Sequence, residues 1–210
     1  GKTGSLGLYF RELYFFGGIF MKTDVNRLAR LAMLSALSVL LMFLVRFPII
    51  PSAPFLEYDP GDIPALLGAF LFGPGAGLII TFVVSLIQAM TVSSGSGWIG
   101  ALMHLIATGT MVLVAGNIYR KIHTLKGGIL SLVLGSLSMV LIMIPLNLYF
   151  TTKFLNVPIE AVKAMLIPAI IPFNLLKAGI NSTLAFLVYK PVGKIMRVEG
   201  ETVVKKPEKA

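Results

Sequence analysis

The sequence predicts an all-α membrane protein, a bundle of six transmembrane helices with both termini in the cytoplasm. Three observations carry that prediction. Of 210 residues, 56% are hydrophobic and only 13% charged, where a soluble domain carries roughly 25% charged. Mean hydropathy is +0.88, and apolar runs recur at lengths near the roughly 20 residues that cross about 30 Å of hydrocarbon as a helix. Basic residues gather at one set of run ends, as orientation in a bilayer requires.

Taken in order, residues 1–20 hold Arg11 and Glu12 in their middle and no uninterrupted apolar core. That is not the pattern of a signal peptide. They are set apart as an upstream segment, with Met21 the expected start of a six-helix membrane domain over 21–197. The first span runs from about Asn26 to Arg46. The second, short and rich in small residues, covers about Gly61 to Phe72. After the Gly73-Pro74-Gly75 break the third reaches from about Ala76 to Val92, and the fourth from about Trp98 to Tyr119. The fifth begins after Gly127-Gly128 and extends to about Phe150; the sixth occupies about Ile167 to Tyr189. Residues 198–210 form a charged cytoplasmic tail.

Six spans place both termini on one side, and charge says which. Lys22, Arg27 and Arg30 precede span one, Arg120, Lys121 and Lys126 join spans four and five, and Lys190, Lys194, Arg197, Lys205, Lys206 and Lys209 follow span six. The opposite side has Arg46, Lys153 and Lys163 beside Glu57, Asp59, Asp62 and Glu160. The net charge of +9 is therefore positive-inside bias with attraction to anionic lipid. Nucleic acid is not the expected partner, because no basic stripe is interleaved with aromatics. With no cysteine, disulfides, thiol catalysis and Cys-based metal sites are excluded. His104 and His123 stand far apart without further ligands at usable spacing, and no P-loop occurs, so neither a metal nor ATP hydrolysis is expected.

Lys177 stands out: a lone ammonium within IPAIIPFNLLKAGINSTLAFLVY. A charge at membrane depth is costly and marks a protein-lined cavity. Asn174 and Asn181 lie three and four residues away, on the same helical face. Near the outer face Pro145 loosens span five just before Asn147, and Pro168 and Pro172 open span six just before Asn174. Asn147 reads either as part of the same site or as a hydrogen bond between spans. Asparagine offers donors and an acceptor to a ring edge that alternates C=O and N–H, and lysine adds a charged donor. Phe55, Tyr58, Tyr149 and Phe173 are available to cover a flat apolar body. The implied ligand is small, partly aromatic and polar-edged.

The proline-rich loop FPIIPSAPFLEYDPGDIP adds carboxylates. Asp59 and Asp62 read first as capping and solvation of the short second helix, whereas Glu57 and Tyr58 are free of that duty and are candidates for a ligand. Trp98 is an interfacial anchor or a ligand contact. His104, deeper on span four, is an interhelical hydrogen-bonder or a ligand contact.

At these residues a family resemblance appears. LEYDPGDIPALLGAFLFGPGAGLI, with PLN at Pro145 to Asn147 and FNLLK at Phe173 to Lys177, resembles the S components of energy-coupling factor (ECF) vitamin transporters, most closely the riboflavin-specific ones. The resemblance runs from Met21 to about Met196. It implies a non-enzymatic subunit in a prokaryotic cell membrane that binds riboflavin from outside as cargo, with no cofactor. It also implies docking on a transmembrane partner that carries two cytoplasmic ATPases. Asn147, Asn174 and Lys177 would then hold the isoalloxazine edge or the ribityl hydroxyls. Ala32 and Ala36 match the family's Ala-x-x-x-Ala docking motif. The pattern calls for an amide where this sequence has His104.

Two other classes compete. In a proton-coupled secondary transporter, Lys177 and Glu57 or Asp62 would exchange protons, but the inner halves of the spans offer no acidic stations. A membrane enzyme would need a nucleophile–base pair or paired carboxylates in a span, and neither is visible. An S component for another vitamin is the nearer alternative.

Overall fold

The computed structural model describes residues 25–91 and 97–196. The upstream segment with Met21 and Lys22, residues 92–96 of the outer loop, and Arg197 with the charged tail lie outside the described residues.

Among the described residues six helices follow in chain order. Helix α1 is Val25–Leu44, α2 Asp62–Phe72, α3 Pro74–Met90, α4 Gly97–Lys121, α5 Leu125–Phe154 and α6 Ile159–Met196. By length and composition α1, α4, α5 and α6 can each cross a membrane, and α2 and α3 are shorter apolar helices. Between α1 and α2 two short strands pair antiparallel, β1 (Phe47–Pro48) with β2 (Glu57–Tyr58), in the register Phe47↔Tyr58 and Pro48↔Glu57. The proline-rich sequence predicts only irregular loop there.

Helix α2 sits at the centre of the bundle, packed against α1, α3, α4 and α6. Nine of its eleven residues are buried, which is why it is apolar on every side. Its turn into α3 needs Gly73, whose φ of 97° an L side chain rarely adopts. Pro74 then starts α3 with its ring at a position that needs no N–H. Gly77 lets α3 lie directly on α2: a Cβ there would stand 2.7 Å from the Ala65 carbonyl oxygen and from Ala69 Cβ.

The start of α1, the end of α2 and the end of α6 share one level. Arg27 Nη2 donates to the Phe72 carbonyl at 3.0 Å, and Gly193 lies against Leu71. Eleven residues rising about 1.5 Å each then carry α2 only to mid-membrane. The loop before it descends to that depth, and irregular backbone is tolerated there only when protein covers it. Accordingly Tyr58 through Ile63 are all buried.

Two expectations change. Gly127 and Gly128 lie inside the first turns of α5 rather than before it, with Thr124 Oγ1 accepting from Gly127 N at 3.0 Å. Pro168 and Pro172 also lie inside α6 rather than at its opening, while Pro145 loosens α5 as expected. Two residues beyond Pro145, α5 widens into a π-turn at Asn147–Thr151, and α6 carries another at Leu166–Ile170 around Pro168. A wider turn absorbs the missing N–H. As a result α5 runs on to Phe154 and α6 begins at Ile159, eight residues before the expected start.

Candidate functional site

The descending loop meets α6 at Lys177. Lys177 Nζ donates to Asp59 Oδ2 at 2.8 Å and lies 3.7 Å from Asp62 Oδ2. Asp62 Oδ1 accepts from His104 Nε2 at 2.8 Å and from Thr108 Oγ1 at 3.3 Å. A carboxylate only accepts, so Nε2 carries the ring proton, while His104 Nδ1 is 2.8 Å from Ser85 Oγ. Asn181 Nδ2 reaches both Asp62 Oδ2 and the Asp59 carbonyl at 3.3 Å, and its Oδ1 accepts from Tyr58 Oη at 2.9 Å. Five helices or their connections thereby join through buried polar groups.

This corrects the first reading of the two aspartates. Neither is a solvated cap. The α2 N-terminus has no side-chain cap bond, and Asp59 and Asp62 are 7% and 2% exposed. Asp59 Oδ1 does accept from Gly61 N at 3.0 Å, a local turn bond that leaves Oδ2 for Lys177. The pair's physical role is charge balance: an isolated buried ion of either sign would be far costlier than the matched set.

Above this floor opens a cavity of about 230 Å³. Its polar lining includes Asn147, Asn174, Lys177, Asp59 and His104, with Gln88, Glu57 and Arg46 toward the mouth. Side-chain exposure grades the depth, from 36% at Glu57 and 26% at Arg46 to 10% at Asp59 and 7% at Lys177. Its apolar walls include Met103, Met139, Met143, Met165, Phe55 and Phe173. Polarisable, unbranched methionines adapt to an aromatic surface.

The π-turns set the two amides. Asn147 Nδ2 donates to the Met143 carbonyl at 2.9 Å and its Oδ1 accepts from Thr151 Oγ1 at 3.3 Å. Asn174 Nδ2 donates to the Ile170 carbonyl at 2.8 Å; among the described residues its Oδ1 has no partner. An acceptor and further N–H capacity therefore face the cavity.

Of the residues singled out from sequence, Asn147, Asn174, Lys177, His104 and Glu57 line this cavity. Both His104 nitrogens are engaged within the protein, so the ring borders the cavity without a free donor or acceptor directed at it. Tyr58 and Asn181 lie outside the lining and bond to each other beneath it. Trp98 is 64% exposed with its ring 6.3 Å from that of Phe154, and Tyr149 is exposed as well. Ala32 and Ala36 lie on an exposed face of α1, in an apolar groove against α3. Sequence reasoning missed Gln88, Arg46 and the methionines as lining. The period was available, since Met139, Met143 and Asn147 repeat every four residues on one face of α5.

With that geometry in hand, residues 26–189 match the family model described as ECF transporter, substrate-specific component. The chain is 32% identical over 204 residues to the riboflavin transporter RibU of Streptococcus thermophilus, covering 93% of this chain and 96% of that protein. It is 31% identical over 154 residues to the riboflavin transporter FmnP of Bacillus subtilis, covering 70% and 80%. A solved S component of a bacterial ECF transporter superposes with a TM-score of 0.69 at 30% identity, over 84% of this chain and all of that one. A solved S component for biotin, at 19% identity and a TM-score of 0.57 over 80% and 92%, shares the fold alone.

Proposed function

Because this chain belongs to the family of substrate-specific components of ECF transporters, we propose that it is the multi-pass membrane subunit that captures riboflavin from outside. It then delivers the vitamin by docking on an ECF module of a transmembrane partner and two ATPases. Riboflavin is cargo here, not a cofactor. The relatives named as riboflavin transporters support this choice of vitamin.

The observation that carries the reading is the composition of the cavity lining: two amides and one ammonium, Asn147, Asn174 and Lys177, set among methionine and phenylalanine side chains. An isoalloxazine is flat and apolar on its faces and alternates carbonyls and ring nitrogens along one edge. Asn174 supplies an acceptor and a donor to that edge, Asn147 a donor, and Lys177 an ammonium proton not used by Asp59. Tyr58 and Asn181 serve the ligand indirectly, by holding Asp59 and Asp62 where they orient Lys177. Methionine and Phe173 cover the ring faces. Ala32 and Ala36 provide the small, exposed stripe on α1 at which the backbone of a partner helix approaches closely.

The test is a titration of riboflavin fluorescence with the purified protein in detergent. Saturable quenching with a stoichiometry near one is expected. No quenching by folded protein contradicts the reading, and quenching instead by a different vitamin's own signal would redirect it to another S component.

A further inference from the structure

The cavity lining contains two cations, Arg46 and Lys177, and each is already matched. Arg46 Nε pairs with Glu57, and Lys177 Nζ with Asp59. The lining charges therefore sum to zero, and behind them Asp62 adds a further negative charge beside Lys177. The other outer cations near the cavity, Lys153 and Lys163, are exposed and do not line it. No Lys or Arg in the lining is without a carboxylate partner.

That matters because riboflavin occurs both as the free alcohol and as its 5′-phosphate ester. The ester carries a charge of about −1.5 to −2 at neutral pH. Bringing it into a partly desolvated cavity without an unpaired cation is unfavourable, and the carboxylates of Glu57 and Asp59 add repulsion. With the ring edge at Asn147, Asn174 and Lys177, the ribityl chain runs toward the mouth, where Arg46 and Glu57 stand. Arg46 is the side chain best suited to hold a phosphate there, through two parallel N–H donors. Glu57 occupies it. The β1–β2 register fixes this match, because Glu57 is held opposite Pro48, two residues beyond Arg46.

We infer that Glu57 is a specificity-determining residue: by occupying Arg46 at the cavity mouth it makes the site select the uncharged vitamin over its phosphate ester. This rests on the riboflavin reading above, and deepens it.

The experiment is a pair of fluorescence titrations, with riboflavin and with riboflavin 5′-phosphate, at low and high salt, on the wild-type protein, Glu57→Gln, and Glu57→Gln combined with Arg46→Met. The wild type should prefer riboflavin by about tenfold or more, the scale of one unfavourable charge contact. Its affinity for the ester should not strengthen as salt is lowered. Glu57→Gln should shrink the preference by about fivefold or more, most at low salt, and adding Arg46→Met should restore it. A wild type that binds both flavins within about twofold overturns the inference, as does an unchanged ratio in Glu57→Gln, or a shrunken ratio that Arg46→Met does not restore. A wild-type ratio within about twofold overturns the inference even if a variant fails to fold, and Glu57→Ala takes the place of Glu57→Gln should the latter misfold, with the same outcomes. Wild-type protein that binds neither flavin overturns the riboflavin reading itself, whereas equal binding of both overturns only the selectivity.

Discussion

The outer and inner halves of the same six helices are built in different ways. In the outer half the helices part around a cavity, two of them widen into π-turns, and a proline-rich segment descends to mid-membrane. All four carboxylates among the described residues, Glu57, Asp59, Asp62 and Glu160, lie at or outward of that level. The inner half is filled. There Phe70 lies 4.6 Å from Tyr119 by ring centroids, Tyr119 lies 5.7 Å from Tyr189, and Tyr119 Oη donates to Tyr189 Oη at 3.1 Å. Helices α2 and α3 touch backbone to side chain at Gly77. The difference teaches where specificity resides. Polar groups that hold one another in place keep a binding space open on one side, and close packing seals the other.

That contrast can be broken by removing its most expensive component. Lys177→Met leaves Asp59 and Asp62 buried without their cation, and the loss of stability should be about 3–5 kcal/mol. A thermal melt in detergent would read this as a large fall in midpoint. Adding Asp59→Asn should recover part of it, because one unpaired charge is then gone. A Lys177→Met protein that melts like the wild type would mean that the floor is not an ionic device at all.

An intermediate effect belongs to the inner half. Gly77→Val places methyl groups where a Cβ alone would already be 2.7 Å from Ala65 and Ala69, costing about 1–3 kcal/mol. The folded fraction should bind riboflavin as the wild type does. Loss of affinity without loss of stability would show that the two halves are not separable.

The smallest effect on either property is expected at the docking face. Ala32→Leu adds an exposed side chain, so stability should change by no more than about 0.5 kcal/mol and ligand affinity not at all. Copurification with the transmembrane partner should nonetheless be lost. A persisting complex would remove α1 from the interface.

Much of this was legible in the chain. The six helices follow from apolar runs and from the Gly73-Pro74 break, and Lys177, Asn174 and Asn147 declare a site because polar groups at membrane depth need one another. What escaped was pairing across the chain. Asp59 and Lys177 are 118 residues apart, and no local period links them, so a short helix preceded by acids read as an ordinary capped start. Only the shortness of α2 hinted that its first residue ends in mid-membrane, where a carboxylate cannot be solvated. The prolines were legible in part: Pro145 loosens α5 just before Asn147, as a π-turn, but Pro168 reads as the opening of span six, whereas α6 begins at Ile159 and takes Pro168 into a second π-turn. Trp98 and Tyr149 carry no such constraint, and they lie exposed.

The central claim is that the outer cavity holds a flavin. The visible absorption spectrum of the protein, purified in detergent from a riboflavin-containing host, tests it most directly. A yellow preparation with flavin bands, releasing close to one fluorescent flavin per chain on denaturation, is the predicted result. Colourless, folded protein that also fails to quench added riboflavin would contradict it.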